Sequence, residues 1–191
     1  MSWLDSAADP ADAVDVARVR AAIDRGDDVW TRASLLHVTG SALVVHPPTR
    51  RILLRWHERY QLWNHVGGHA DDGEDDPFVT ALREAEEETG LRDLRPFPGP
   101  APSIVLVEIV PVPAATRDVG GPHETREPDH EHADVCYVLA TDAPDATVEE
   151  HGDAELAWLD VAEAHRRSNF HVRNLIDRVA PLLRSPTARD D

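Results

Sequence analysis

At 191 residues, with 41% hydrophobic and 29% charged residues, the chain has the size and composition of one soluble globular domain carrying extensions. Thirty-six acidic against 19 basic residues give a formal charge of −17, which argues against a broad grip on duplex DNA or RNA but not against a small phosphorylated substrate, since bound cations invert the local potential. The single cysteine, Cys136, excludes an internal disulfide and a cysteine zinc cluster; with no basic-apolar leader after Met1 and no run near the roughly 18 apolar residues of a membrane span, a cytoplasmic protein without membrane contact is expected.

Residues 1–10 read as a loose terminus ending in Asp9-Pro10. Over residues 11–25, Val14, Ala17, Val19, Ala21 and Ile23 alternate with Asp and Arg ahead of Gly26, which predicts a short amphipathic helix packed on the domain or on a second subunit. This gives an N-terminal extension over 1–34, a domain over 35–184 and a disordered tail over 185–191.

Residues 35–45, LLHVTGSALVV, predict a strand, Pro47-Pro48 a turn, and residues 51–56 the returning strand. Pro77 suits the first turn of a helix capped by Asp75 or Asp76 and stopped by Gly90. A proline-rich loop over 96–102 precedes a strand over 104–112, closed by Pro113. Residues 114–133 form a polar loop long enough to suggest function or mobility. Residues 134–141 read as a strand with Val135, Tyr137 and Leu139 on one face and Cys136, Val138 and Ala140 on the other. A short strand over 156–159 leads into a helix over 161–183, interrupted near Ser168-Asn169. Strands and helices interleave without a regular βαβ repeat, so a mixed α+β layered domain is expected.

The chemistry concentrates in residues 67–91, GGHADDGEDDPFVTALREAEEETGL. Four glutamates in five residues repel one another on a bare helix. At about 100° per residue, Phe78, Leu82, Ala85 and Thr89 face the core, Glu84, Glu87 and Glu88 share one arc, and Glu86 is left to solvent. Arg83 lies four residues before Glu87 and is placed to orient it. Three carboxylates beside Gly67-Gly68, where backbone approaches closely, suit Mg2+ or Mn2+; such ions bridge phosphate oxygens and activate water. A solvated acidic helix is the alternative.

This stretch resembles the signature of the Nudix hydrolase family: Gly, five residues, Glu, seven residues, Arg-Glu, an apolar residue, any, Glu-Glu, any, Gly, apolar. Gly68 and Glu74 keep the spacing, and Arg83-Glu84-Ala85-Glu86-Glu87-Glu88-Thr89-Gly90-Leu91 matches the second half. Eight residues, not seven, separate Glu74 from Arg83, so Glu74 or Asp75 fills the first acidic position. The motif spans about an eighth of the chain, and weaker resemblance reaches over residues 35–165. The resemblance implies an α/β/α sandwich and a Mg2+- or Mn2+-dependent pyrophosphohydrolase. Its substrate would be a nucleoside diphosphate linked to another moiety, such as ADP-ribose, a nucleotide sugar or a modified nucleoside triphosphate. Glu84, Glu87 and Glu88 would hold the metal, with the Gly68 carbonyl as a further ligand and Arg83 positioning the glutamates. A homodimer is common in the family. Two rival readings are a non-catalytic nucleotide sensor and isopentenyl diphosphate isomerase. The latter shares a similar approach through Trp63-Asn64 to Gly68-His69, but here glycine stands where its catalytic cysteine is expected.

Outside the signature, His69 is a candidate for contacting phosphate. His37, on a strand face with Thr39 and Ser41, either lines the substrate side or is a structural histidine. The segment 123–134 carries three histidines and five acids, with His130 and His132 pointing one way and Glu131 the other. The resemblance implies a further metal ligand or a general base from a later loop, and this segment, also a source for a substrate contact, is one place for it, in competition with Glu149, Glu150 and Glu155. Trp56, Tyr60 and Trp63 either stack on a base or fill the core. Cys136 reads as a core thiol.

Overall fold

The computed structural model describes residues 3–6, 9–58, 61–117, 125–148 and 155–184. Tyr60, His123, Glu149, Glu150 and the expected tail over 185–191 lie outside the described residues. In chain order the elements are α1 (Ala13–Asp24), β1 (Leu36–His46), β2 (Arg51–His57), β3 (Leu62–Asn64), β4 (Val66–His69) and α2 (Pro77–Thr89). Then come β5 (Arg95–Pro96), β6 (Leu106–Val112), β7 (Ala115–Arg117), β8 (Thr125–Glu127), β9 (His130–Ala140), β10 (Leu156–Asp160), α3 (Val161–Arg167) and α4 (Phe170–Arg184).

The long strands β1 and β9 lie parallel at the centre of the main sheet, from Leu36 opposite Glu131 to Val45 opposite Ala140. The order runs β10-β2-β1-β9-β5, with β3 on β2, β4 on β1 and β6 on β9, and every pairing apart from that of β1 with β9 is antiparallel. Side-chain alternation sends the two sets of residues into separate cores. Val38, Ala42, Val44, Val135, Tyr137 and Leu139 pack with Ala81 and Ala85 of α2 and Val19 and Ala22 of α1. Leu43, Val45, Cys136, Val138 and Ala140 pack under Ala164 of α3 and Val172, Leu175, Ile176 and Val179 of α4. The result is an α/β/α sandwich around a mixed sheet.

Helix α2 sits unusually close to the sheet because two register partners, Gly40 and Gly68, lack side chains on its face. A Cβ on Gly40 would lie 2.3 Å from the Pro77 carbonyl oxygen and 2.8 Å from the Ala81 nitrogen; one on Gly68 would lie 2.4 Å from the Glu84 carboxylate carbon.

Three expectations change. Strand β9 begins at His130 rather than 134, because β1 and β6 both extend far enough to pair with it there. The region read as a loop over 114–133 also contains β7 and β8. The terminus is not loose over residues 3–6: Leu4 is buried, and Trp3 meets Trp30 edge-on with centroids 6.2 Å apart. Of the two placements foreseen for the N-terminal helix, α1 takes the one on its own domain. At its start Asp12 accepts from the Val107 amide and Asp15 from the Ile109 amide, both at 3.0 Å, along β6. Arg178 of α4 closes this corner with bonds of 2.6 and 2.9 Å to Asp12 and 2.8 Å to the Val105 carbonyl.

Candidate active site

The helix that carries the glutamates is fixed at both ends by its own sequence. Asp76, rather than Asp75, caps it by accepting from the Phe78 amide at 2.9 Å, Pro77 opens the first turn, and Gly90 closes it in the left-handed conformation. Ala81, Ala85 and Thr89 turn inward, with Phe78 and Leu82 half-buried beside them, which leaves the charged positions facing out.

Arg83 is the hub of the outer face. Its guanidinium donates to Glu74 at 2.9 Å, Glu84 at 2.9 Å, Glu87 at 3.0 Å and the His69 carbonyl at 2.8 Å. A planar fork with five donors suits this, where a lysine would not. Glu74 also accepts from Thr80 at 2.8 Å and the Asp71 amide at 3.0 Å. Those bonds, Arg83 first, hold its carboxyl down at about 2. Glu74 therefore occupies the position beside Arg83 that the extra residue had left open between it and Asp75. Burial pushes the Glu84 carboxyl above its ordinary range although Arg83 pulls the other way. Glu87 stays half-exposed, whereas Glu88 turns away to accept from the Gly67 amide at 3.1 Å and pair with Arg55 at 3.3 Å. Glu86, expected in solvent, is partly covered and lies 3.4 Å from Arg92.

The oxygen donors fit a divalent cation. One guanidinium is shared among the carboxylates of Glu74, Glu84 and Glu87, so negative charge remains in excess, and Glu84 is already short of the solvation that would keep it ionised. Glu84, Glu87, Glu88 and the backbone at Gly68 would offer such an ion hard oxygen donors.

On the opposite side of the sheet a cavity of about 850 Å³ opens between β1, β4, β6, β9 and the start of α4. Its walls include Gly67, Gly68, His69, Arg55 and Glu88, so the helix face and the cavity meet at β4. Its floor carries a polar network absent from the sequence reading. Asp134, buried in β9, accepts from Thr39 at 2.8 Å, Ser41 at 2.6 Å and His171 Nε2 at 2.8 Å, with His65 at 3.3 Å. His171 Nδ1 in turn contacts Glu108 of β6, the register partner of Asp134. Burial lowers the His171 pKa, but the two carboxylates outweigh it and hold the ring up at about 9. Asp134 is held well below the usual carboxylate range by His171 and His65 against the opposing effect of burial. One signal for this network was visible: a charged residue inside an apolar strand, opposite hydroxyls on β1. His171 offered none, because its partners are 37 and 63 residues away.

A second group gathers beside it. His69 Nε2 lies 3.3 Å from His132 Nε2, which lies 3.1 Å from His130 Nε2, and the His37 ring is 4.8 Å from that of His132. Burial, Arg32 and the neighbouring histidines pull the His69 pKa down to about 3, so the ring is neutral. His69, His130 and His132 line the cavity, whereas His37 is buried behind them. Glu131 is not brought to the site; it faces away and pairs with Arg18 of α1 at 2.7 Å. Trp63 packs in the core against Trp56, and the Glu155 side chain is exposed.

A family model described as NUDIX domain matches residues 36–179. A Streptomyces rubellomurinus protein, "CMP-5'-(N-acetyl-N-hydroxy-3-aminopropyl)phosphonate hydrolase", is 48% identical over 54 residues, a stretch covering 26% of this chain and 26% of that protein. The match thus spans about a quarter of that relative's length. Among solved structures, a C. elegans Ap4A hydrolase binary complex aligns with a TM-score of 0.55 at 16% identity, over 76% of this chain and 96% of its own. A second crystal structure of C. elegans Ap4A hydrolase aligns with a TM-score of 0.53 at 16% identity, over 76% and 97%. At that identity the likeness is one of fold.

Proposed function

The chain belongs to the Nudix family of hydrolases acting on diphosphate bonds, and from that premise we propose that it cleaves the diphosphate of a nucleotide joined to a second moiety, with Mg2+ or Mn2+. The observation that carries this reading is the Arg83 hub, which fixes Glu74, Glu84 and Glu87 beside Gly68 where the acidic face meets a cavity of about 850 Å³. When bound, the cation would offset charge on the diphosphate and make water a stronger nucleophile. The chain's own part is positional. Glu74 locks Arg83, Arg83 aims Glu84 and Glu87, and Glu88 is the carboxylate that reaches the cavity, held by the Gly67 amide and Arg55. Burial around Glu84 strengthens every charge interaction made there. The rest of the substrate has a polar cavity floor of Asn64, His65, Asp134 and Asn169 against which to lie. Similarity of the short matched stretch to a hydrolase named for a CMP–phosphonate supports a nucleotide-linked substrate.

A panel of nucleotide sugars, ADP-ribose, dinucleoside polyphosphates and nucleoside triphosphates, with Mg2+ or Mn2+ and products identified by mass, tests the reading. Split diphosphates are expected, and Glu88→Gln abolishes turnover without lowering the melting temperature. Undiminished turnover in that variant sinks the assignment. Tight nucleotide binding without hydrolysis under either cation would favour a sensor.

A further inference from the structure

We propose that His37, His69 and His132 form a site for one divalent transition-metal ion of the Zn2+ class, separate from the carboxylates of α2. A ligand nitrogen from each lies within 4.8 Å of the others. In a tetrahedral site with metal–nitrogen bonds of about 2.0–2.1 Å, neighbouring donors stand roughly 3.3 Å apart. The 3.3 Å between His69 Nε2 and His132 Nε2 is that edge.

Two contacts compete for one nitrogen of this group. The Nε2 of His132 has both His69 Nε2 and His130 Nε2 within 3.3 Å, yet a ring nitrogen carries either one proton or one lone pair. It therefore makes one of these contacts as a hydrogen bond, not both; a metal ion shared by His69 and His132 would take the place of the contact between them. A surrounding bond already selects the required tautomer of His37. Its Nδ1 donates to the Ser34 carbonyl at 2.8 Å. A carbonyl only accepts, so in the neutral ring the lone pair is on Nε2. That is the outer-shell arrangement of metal-binding imidazoles.

The donors are also held rigidly. His37 and His132 are register partners in the central parallel pair, and His69 stands in β4 opposite Thr39. An all-imidazole set favours Zn2+, Co2+ or Ni2+ over Mg2+, which takes oxygen. By contrast, the neighbouring group of His65, Asp134, Cys136 and His171 is a closed network, because Thr39, Ser41 and His171 already occupy the Asp134 oxygens. Because His69 and His132 line the cavity, the fourth position opens toward it, for an anionic oxygen of the substrate.

The test uses the full chain, stripped with a chelator and titrated with Co2+ in excess Mg2+, followed by visible absorption and by metal content. One equivalent with a tetrahedral spectrum, displaced by Zn2+ but not by Mg2+, is expected. Glu88→Gln retains it, and His132→Gln weakens it at least about a hundredfold. His69→Gln serves as a second variant, with each fold checked by thermal melting. An octahedral spectrum, competition by Mg2+, or loss of the ion in Glu88→Gln but not in the histidine variants would overturn the site.

Discussion

Arg83 makes five hydrogen bonds, to three carboxylates and a backbone carbonyl, that only a planar fork of N–H donors could make at once. Arg83→Lys keeps the charge and loses the fork. Turnover should then fall roughly a hundredfold, the usual result of misplacing catalytic groups by about an ångström, with near-normal melting. His171 yields a prediction in pH. Its pKa is raised in the fold, so its stabilisation is complete below the ordinary value of 6.5 and lost as pH rises through about 9. At about 1.4 kcal/mol per unit this is on the order of 3 kcal/mol at most. Melting temperature should decline between pH 6.5 and 9.5, and His171→Gln should flatten that slope; an equal slope in the variant would sink the assignment. The acidic helix residues were legible because their partners lie within one signature. Asp134, His171 and Glu108 were not, because only the sheet and α4 bring them together.

Among the elements, α2 was the most legible, since its cap, first turn, inward stripe and stop are all local features of residues 76–90. The start of β9 and the short strand β4 were not, because polar or glycine-rich segments become strands only through partners distant in sequence. The two glycines under α2 separate packing from chemistry. Gly40→Ala drives a Cβ into helix backbone that cannot step aside, so a loss of about 2–3 kcal/mol in chemical denaturation is expected. Gly68→Ala meets the end of the Glu84 side chain, which can swing away. That variant should melt almost normally yet lose turnover, because the displaced carboxylate leaves the acidic face. Equal behaviour in both assays would contradict this division.

In the whole molecule, the segment ahead of β1 is stitched into the sandwich from two sides. Asp12 is 5% exposed, and the Arg178 guanidinium forks onto both of its carboxylate oxygens. Arg178→Ala should cost about 3 kcal/mol, read from urea denaturation, whereas Arg178 and Asp12 removed together should cost less than the sum. Asp12 and Asp15 meanwhile occupy amides of β6 that would otherwise be open to another strand. This arrangement bears on how such a chain can be cut or recombined. The matched family segment begins at residue 36, after Asp12 and Asp15, and ends at 179. A gene fragment trimmed to those limits would encode the whole signature and both donor sets, yet its product would bare the Val107 and Ile109 amides and lose the Leu4 and Val19 anchors. It should elute as aggregate in size-exclusion chromatography. That outcome would separate the length of chain the family shares from the length that folds.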